Sequence, residues 1–191
     1  MSAPEEDFLS WLNSEGVLKQ WPLELDAPAA SGLTLLQDAV ATIDTQSLAL
    51  LQEDYNNLFI LPGSSVPVWE SVWTTKEKLL FGDPTFEVRE AYARYGLAAP
   101  LTNKEPDDHL GLELAFLAHV LGRTAQALDS GETEEAKAHV ADARAFADEH
   151  LCRWAKACLD DIHGKANTDF YKGAAVLGMH TVDALREIVA D

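Results

Sequence analysis

Apolar positions are densest between residues 110 and 128. There Leu110, Leu114, Leu117, Leu121, Ala125 and Leu128 recur at helical spacing, and Leu112, Phe116 and Val120 fill a second face. A helix apolar over most of its circumference is expected at the centre of a bundle, wrapped by other helices. Ahead of it stands Glu105-Pro106-Asp107-Asp108-His109. Proline suits the first position of a helix, and carboxylates in the first turn favour the positive end of its dipole. The pattern predicts a helix opening at Pro106, with Glu105, Asp107, Asp108 and His109 as a charged knot at the mouth of the core.

The same periodicity predicts a short helix over residues 4–13, carrying Phe8, Leu9, Trp11 and Leu12 and ended by Gly16 and Trp21-Pro22. Residues 23–31 read as a connector. Helices follow over 33–43 and 45–61, the second with Leu48, Leu51, Tyr55, Leu58 and Phe59 on its inner face. Pro62, Gly63 and Pro67 impose a loop, beside which Trp69 and Trp73 stand four apart. Asp83 as cap and Pro84 at the first helical position open a helix to about Tyr95. Asp129-Ser130-Gly131 ends the apolar helix. Thr133 is expected to cap a long one reaching about His163, with Ala136, Val140, Ala143, Ala147, Leu151, Trp154 and Leu159 on its buried side, and a last helix spans 169–190. No alternating strand pattern, repeat or low-complexity tract occurs. The expected fold is all-α, a single-domain bundle of about seven helices over residues 1–191.

Length and composition suit that reading: 191 residues, 47% hydrophobic and 24% charged, fit one sizeable core. Charge changes the picture, because 32 acids against 14 Lys and Arg give −18. Residues 1–60 hold ten acids and one base, Lys19. Nucleic acid and anionic lipid need a basic surface and are excluded as partners, whereas basic peptides are attracted. Cys152 and Cys158, six apart on one expected helix, lie roughly 9 Å apart along its axis, too far for a disulfide. No zinc spacing is present, so no metal is expected. The acidic start (Glu5, Glu6, Asp7) does not read as an export signal, and Glu113 and His119 interrupt the best candidate for a membrane span. The expectation is a reduced, soluble, cytoplasmic protein without membrane insertion. No phosphate loop, glycine fingerprint or nucleophile motif points to a cofactor or to catalysis.

Several stretches carry more than composition: Gln20-Trp21-Pro22-Leu23; Leu58-Phe59 after Tyr55; Trp69-Glu70-Ser71-Val72-Trp73; Leu80-Phe81-Gly82-Asp83; Glu105-Pro106-x-Asp108-His109; and His150-Leu151 with Trp154, then Phe170-Tyr171. In this order the sequence resembles the TorD/DmsD/NarJ family of redox-enzyme maturation chaperones. The resemblance implies an all-helical, non-enzymatic protein. Its partners would be the twin-arginine signal peptide and the apo form of a molybdopterin oxidoreductase catalytic subunit of the dimethyl sulfoxide reductase type, whose export it would delay until the cofactor is loaded. It places peptide-binding positions on Leu58, Phe59, Trp69, Trp73, Gly82, Pro106, Asp108 and His109. Two departures stand out. Tyr55 and Asn57 replace a Trp and an Arg around the Leu-Phe pair, and an apolar helix ahead of residue 5 is missing, so that a groove stands open or a second copy covers it in a homodimer.

The residues suit that task. An arginine-bearing leader with an apolar stretch calls for carboxylates beside exposed hydrophobic surface. Glu105, Asp107 and Asp108 offer the carboxylates, Leu58, Phe59, Trp69, Trp73 and Phe81 an apolar trough, and Gly82 a close backbone approach. Taken alone, Trp69 and Trp73 fit a core equally well, and His109 with Glu113 fits a surface hydrogen-bonded pair. Three alternatives stay open: an assembly chaperone for a non-exported subunit, an enzyme using His109 as a base oriented by Asp108 or Glu113, and a helical assembly subunit whose exposed apolar face serves self-association.

Overall fold

The computed structural model describes residues 3–14, 16–63 and 65–189. Nine α-helical segments appear among them: α1 (Glu6–Ser14), α2 (Ala27–Ala41), α3 (Thr45–Tyr55), α4 (Glu70–Thr74), α5 (Asp83–Arg94), α6 (Leu110–Asp129), α7 (Thr133–Phe146), α8 (Cys152–Lys165) and α9 (Asp169–Ile188). A π-helical turn, Asn56–Ile60, extends α3, and another, Ala147–Leu151, joins α7 to α8. The all-α expectation holds; the two segments beyond the expected seven are α4 and α8, the latter because the π-helical turn divides the expected long helix into α7 and α8.

The helices gather into two compact units. One comprises residues up to Val66 together with Ala157–Thr181; the other comprises Pro67–Lys156 and the chain from Val182. In the first, α2 meets α9 backbone to backbone. A Cβ at Gly173 would stand 2.5 Å from the Gly32 carbonyl oxygen and 2.9 Å from the Leu36 amide. Leu36, Val40, Leu51, Tyr55, Leu58, Phe170 and Leu177 are buried in this unit. Buried Asp54 ties α3 to the start of α9, accepting from the Thr168 amide at 2.8 Å, the Thr168 hydroxyl at 2.7 Å and the Asn167 amide at 3.0 Å. That is a helix N-cap supplied from more than a hundred residues away.

In the second unit an aromatic cluster binds α5, α6 and α7. Phe116 lies 4.9 Å from Tyr92 and 4.6 Å from Phe146, centroid to centroid, and the Tyr95 ring stands edge-on to it at 5.5 Å. The Tyr95 hydroxyl donates to Asp142 at 2.7 Å.

Four expectations need correction. Helix α2 begins at Ala27, not at 33, because Asp26 accepts from the Ala29 amide at 2.8 Å and Pro28 falls in the first turn, where it is harmless. Helix α6 begins at Leu110, so Pro106, Asp107 and Asp108 precede it in extended chain, and His109 is its cap. Nor is α6 buried all round: Leu110, Glu113, Phe116, Leu117, Val120, Thr124 and Ala127 face inward, while Leu128 is 58% exposed. On α1 only Leu9 is buried; Phe8 and Trp11 stack on each other at 6.0 Å, exposed. Two starts also shift by one residue, Gly82 standing at the cap of α5 and Glu132 at that of α7.

Gly173→Ala should destabilise the protein by about 1–3 kcal/mol, since the added methyl meets backbone that cannot yield. Gly122→Ala, whose Cβ would meet nothing within 4 Å on α6, should stabilise it by about 0.5–1 kcal/mol. Urea unfolding of the two variants checks this; shifts of the same sign would contradict the α2–α9 packing.

Candidate functional site

Two extended stretches, each running into a helix, pair in the second unit. Trp69 and His109 form an isolated antiparallel bridge: the Leu110 amide donates to the Val68 carbonyl and the Glu70 amide to the Asp108 carbonyl, both at 2.9 Å. The Trp69-to-Trp73 and Glu105-to-His109 stretches, far apart in sequence, thus share one junction at the starts of α4 and α6.

Asp108 locks it. No side chain of its own sequence caps α4; instead one Asp108 oxygen accepts from the Ser71 amide at 2.7 Å, and the other accepts from the Thr85 hydroxyl of α5, also at 2.7 Å. Asp108, Ser71 and Thr85 are fully buried. Gly82 belongs to the same knot, since a Cβ there would stand 3.2 Å from Ser71 Cβ and 3.3 Å from Thr75 Cγ2. Its φ of −73° is ordinary, so the missing side chain serves helix contact and not turn geometry.

Asp107 is also committed. Arg89 grips it through two hydrogen bonds, Nε at 2.9 Å and a terminal nitrogen at 3.0 Å, and the Tyr92 hydroxyl donates to its carbonyl at 3.2 Å. This bond holds the Arg89 guanidinium even more firmly protonated. Of the three carboxylates expected to face a ligand, therefore, only Glu105 is exposed, and Pro106 behind it is buried. Groups of α4 and α5 claim the other two.

His109 caps α6 with its ring, Nδ1 accepting from the Gly111 amide at 2.9 Å. The tautomer is then Nε2–H, and that donor is buried without an acceptor among the described residues. Trp69 stands edge-on to the imidazole, centroids 5.8 Å apart, and its indole N–H likewise lacks an acceptor. Burial pushes the His109 pKa down to about 4, so the ring is neutral at pH 7. The expected pair with Glu113 does not form: Glu113 is fully buried and accepts from the Trp154 indole at 3.2 Å. Burial first, and then the Glu70 carboxylate, raise the Glu113 pKa well above the usual range.

Trp73 is half-buried and donates to the Pro67 carbonyl at 2.7 Å. The loop ahead of Gly82 exposes Leu79, Leu80 and Phe81, with Phe86 exposed in the first turns of α5. Lys78 and Phe81 hold φ of 50° and 61°, a left-handed conformation costly without glycine and often found where a loop has work to do. Leu58 and Phe59 belong to the other unit, Leu58 buried and Phe59 packed edge-on to Tyr171 at 5.9 Å.

Sequence reasoning missed Ser71, Thr85 and Arg89 as the partners of the two aspartates. It also missed the buried pair in which Glu70 meets His150 Nδ1 at 2.9 Å. Of these, Glu70, Ser71 and His150 carried a signal, lying inside quoted motifs. Among the described residues no cluster of His, Cys, Asp or Glu could hold a metal ion, and no helix is long and apolar enough to cross a membrane.

A family model described as the nitrate reductase delta subunit matches residues 23–160. The chain belongs to that family, the TorD/DmsD/NarJ group. It is 25% identical over 177 residues to the probable Tat proofreading chaperone DmsD of Haemophilus influenzae, covering 92% of this chain and 77% of the relative. It is 30% identical over 164 residues to the Tat proofreading chaperone DmsD of Salmonella typhimurium (85% and 70% covered). To the chaperone protein TorD of Vibrio cholerae it is 33% identical over 158 residues (82% and 66% covered). In this family member the Trp69–His109 junction, the knot behind it and the apolar loop before Gly82 make up one connected candidate site.

The folded His109 pKa lies below the ordinary value of about 6.5, so its neutral ring contributes stability that is full above pH 6.5 and is lost as pH falls towards 4. Glu113 acts oppositely: its contribution is present at low pH and lost as pH rises through its raised folded value. Asn at position 109 keeps a cap without titrating. Between pH 6.5 and 4, wild type should lose on the order of 2–3 kcal/mol more than His109→Asn, read from urea unfolding at each pH; parallel curves would contradict the burial of His109.

Proposed function

We propose that this chaperone binds the twin-arginine signal peptide of a molybdopterin oxidoreductase of the dimethyl sulfoxide reductase type. It holds back export in the cytoplasm until the cofactor is inserted and the enzyme folded. The family membership and the names of its relatives support the role. The observation that carries the assignment to a site is the junction itself: it brings Trp69 and His109 together and leaves two ring N–H donors without acceptors among the described residues. A buried donor without a partner costs about 1–3 kcal/mol; both atoms are closed to solvent, and the carbonyl groups of an extended peptide satisfy them once the junction parts. The exposed Leu79, Leu80, Phe81 and Phe86 offer apolar surface to the rest of the leader. Trp73, Pro106 and Glu105 complete this binding site, with Asp108 and Gly82 as the groups that position it; Leu58 and Phe59 enter on the resemblance alone.

Binding and not catalysis is the role the site favours. A general base needs a free lone pair in reach of a substrate proton, and the one on His109 is spent on the Gly111 amide. Both units act as one chaperone domain in this reading.

A synthetic twin-arginine leader should bind at roughly micromolar Kd, about −8 kcal/mol, more weakly as salt rises. Trp69→Phe combined with His109→Asn removes the indole and imidazole N–H groups while keeping an aromatic ring at 69 and a cap at 109; it should weaken binding at least about tenfold with the helical circular dichroism unchanged. Calorimetry with the leader tests this, and equal affinity for wild type and the double variant would refute the site.

A further inference from the structure

With Asp107 and Asp108 engaged internally, the second unit still holds carboxylates placed for a cation. A cavity of about 750 Å³ is lined by Glu87, Glu90 and Arg94 of α5 and by Glu149, His150 and Arg153 of the π-helical turn and the start of α8. Glu87 and Glu90 are one turn apart, so their side chains share a face of α5. None of the three glutamates enters an ion pair among the described residues. Arg153 donates to the Glu149 carbonyl at 3.1 Å and approaches Glu70 at 3.8 Å. Arg94 stands in the last turn of α5, where the helix dipole favours a cation.

The independent observation is His150. It is only 6% exposed, wedged against the Phe146 ring at 4.9 Å, and its Nδ1 is 2.9 Å from an oxygen of the fully buried Glu70. A carboxylate accepts, so Nδ1 carries the proton, and in the neutral ring Nε2 holds a lone pair. Among the described residues that nitrogen has no hydrogen-bond partner, and its side chain lines the cavity. Beside Arg94 and Arg153 the wall therefore presents three carboxylates outside any ion pair and, in the neutral imidazole, one acceptor nitrogen. An anion would meet repulsion from all three carboxylates. A guanidinium, with five N–H donors in a plane and no acceptor, satisfies them, and pairs with carboxylates through two parallel bonds where an ammonium offers only a point charge.

We propose that this cavity seats an arginine side chain of a bound peptide, Glu87, Glu90 and Glu149 pairing its guanidinium and His150 Nε2 accepting one of its N–H groups. The proposal rests on the leader-binding reading only in naming the peptide that supplies the arginine.

Nitrogen NMR of the histidine rings, with N-acetyl-arginine amide and N-acetyl-lysine amide as probes, tests the cavity by itself. The His150 imidazole signals should move with the arginine derivative at millimolar concentration and require at least about ten times more of the lysine derivative. Glu90→Gln with Glu149→Gln, both on the surface, should abolish the response. No movement at His150, or a response the double variant leaves intact, overturns the proposal. The leader is then titrated against the same pair of proteins, with a tenfold weakening expected in the double variant. Equal binding to both overturns the assignment of the leader's arginine to this cavity. A His150 response to the arginine derivative without any leader binding to wild type upholds the cavity and refutes the proposed function.

Discussion

The carboxylate of Asp108 is the group on which the second unit depends. Its two oxygens hold the first turn of α4 and the first turn of α5, while its backbone carbonyl receives the Glu70 amide. A short helix such as α4 cannot persist on propensity alone, because five residues cannot repay the cost of nucleation. It needs a cap, and Trp69 at its start supplies none. The cap comes from a residue in the extended run before α6, which is why that run cannot be helical and why the bridge between Trp69 and His109 exists.

One consequence follows for the chemistry of the site. A buried carboxylate with both oxygens engaged is not a docking point for an incoming arginine. Asp108 shapes the surface that Trp69 and His109 present, and Asp107 does the same through Arg89. The surplus of negative charge in this unit that remains available lies on exposed glutamates, among them those that line the cavity beside His150. An acidic protein can thus attract a basic leader without spending on it the carboxylates its own fold requires.

How much was legible in the sequence depended on the range of the interaction. Helical periodicity found α3, α5, α6 and the long rod of α7 and α8, because the apolar face of each is written in local spacing. It failed at Ala27, where an Asp cap and a tolerated proline masqueraded as a connector, and at Pro106, where the residues of a good helix start were recruited into a bridge. The family motifs located the junction, yet their roles were inverted in part: Asp108 and Gly82 face inward. Nothing in local spacing could join Glu70 to His150 or Asp54 to Thr168, since those partners are chosen only when the chain has folded.

The central claim is that Asp108 acts by holding the junction and not by touching the leader. Asparagine keeps an oxygen for the Ser71 amide and an amide group for the Thr85 hydroxyl, but carries no charge. Leader affinity measured by calorimetry for Asp108→Asn and Asp108→Ala separates the two roles. Asp108→Asn should bind within about threefold of wild type while Asp108→Ala loses about tenfold or more, in step with its loss of stability. If Asp108→Asn falls as far as Asp108→Ala, the carboxylate pairs directly with the leader's arginine and the account is wrong.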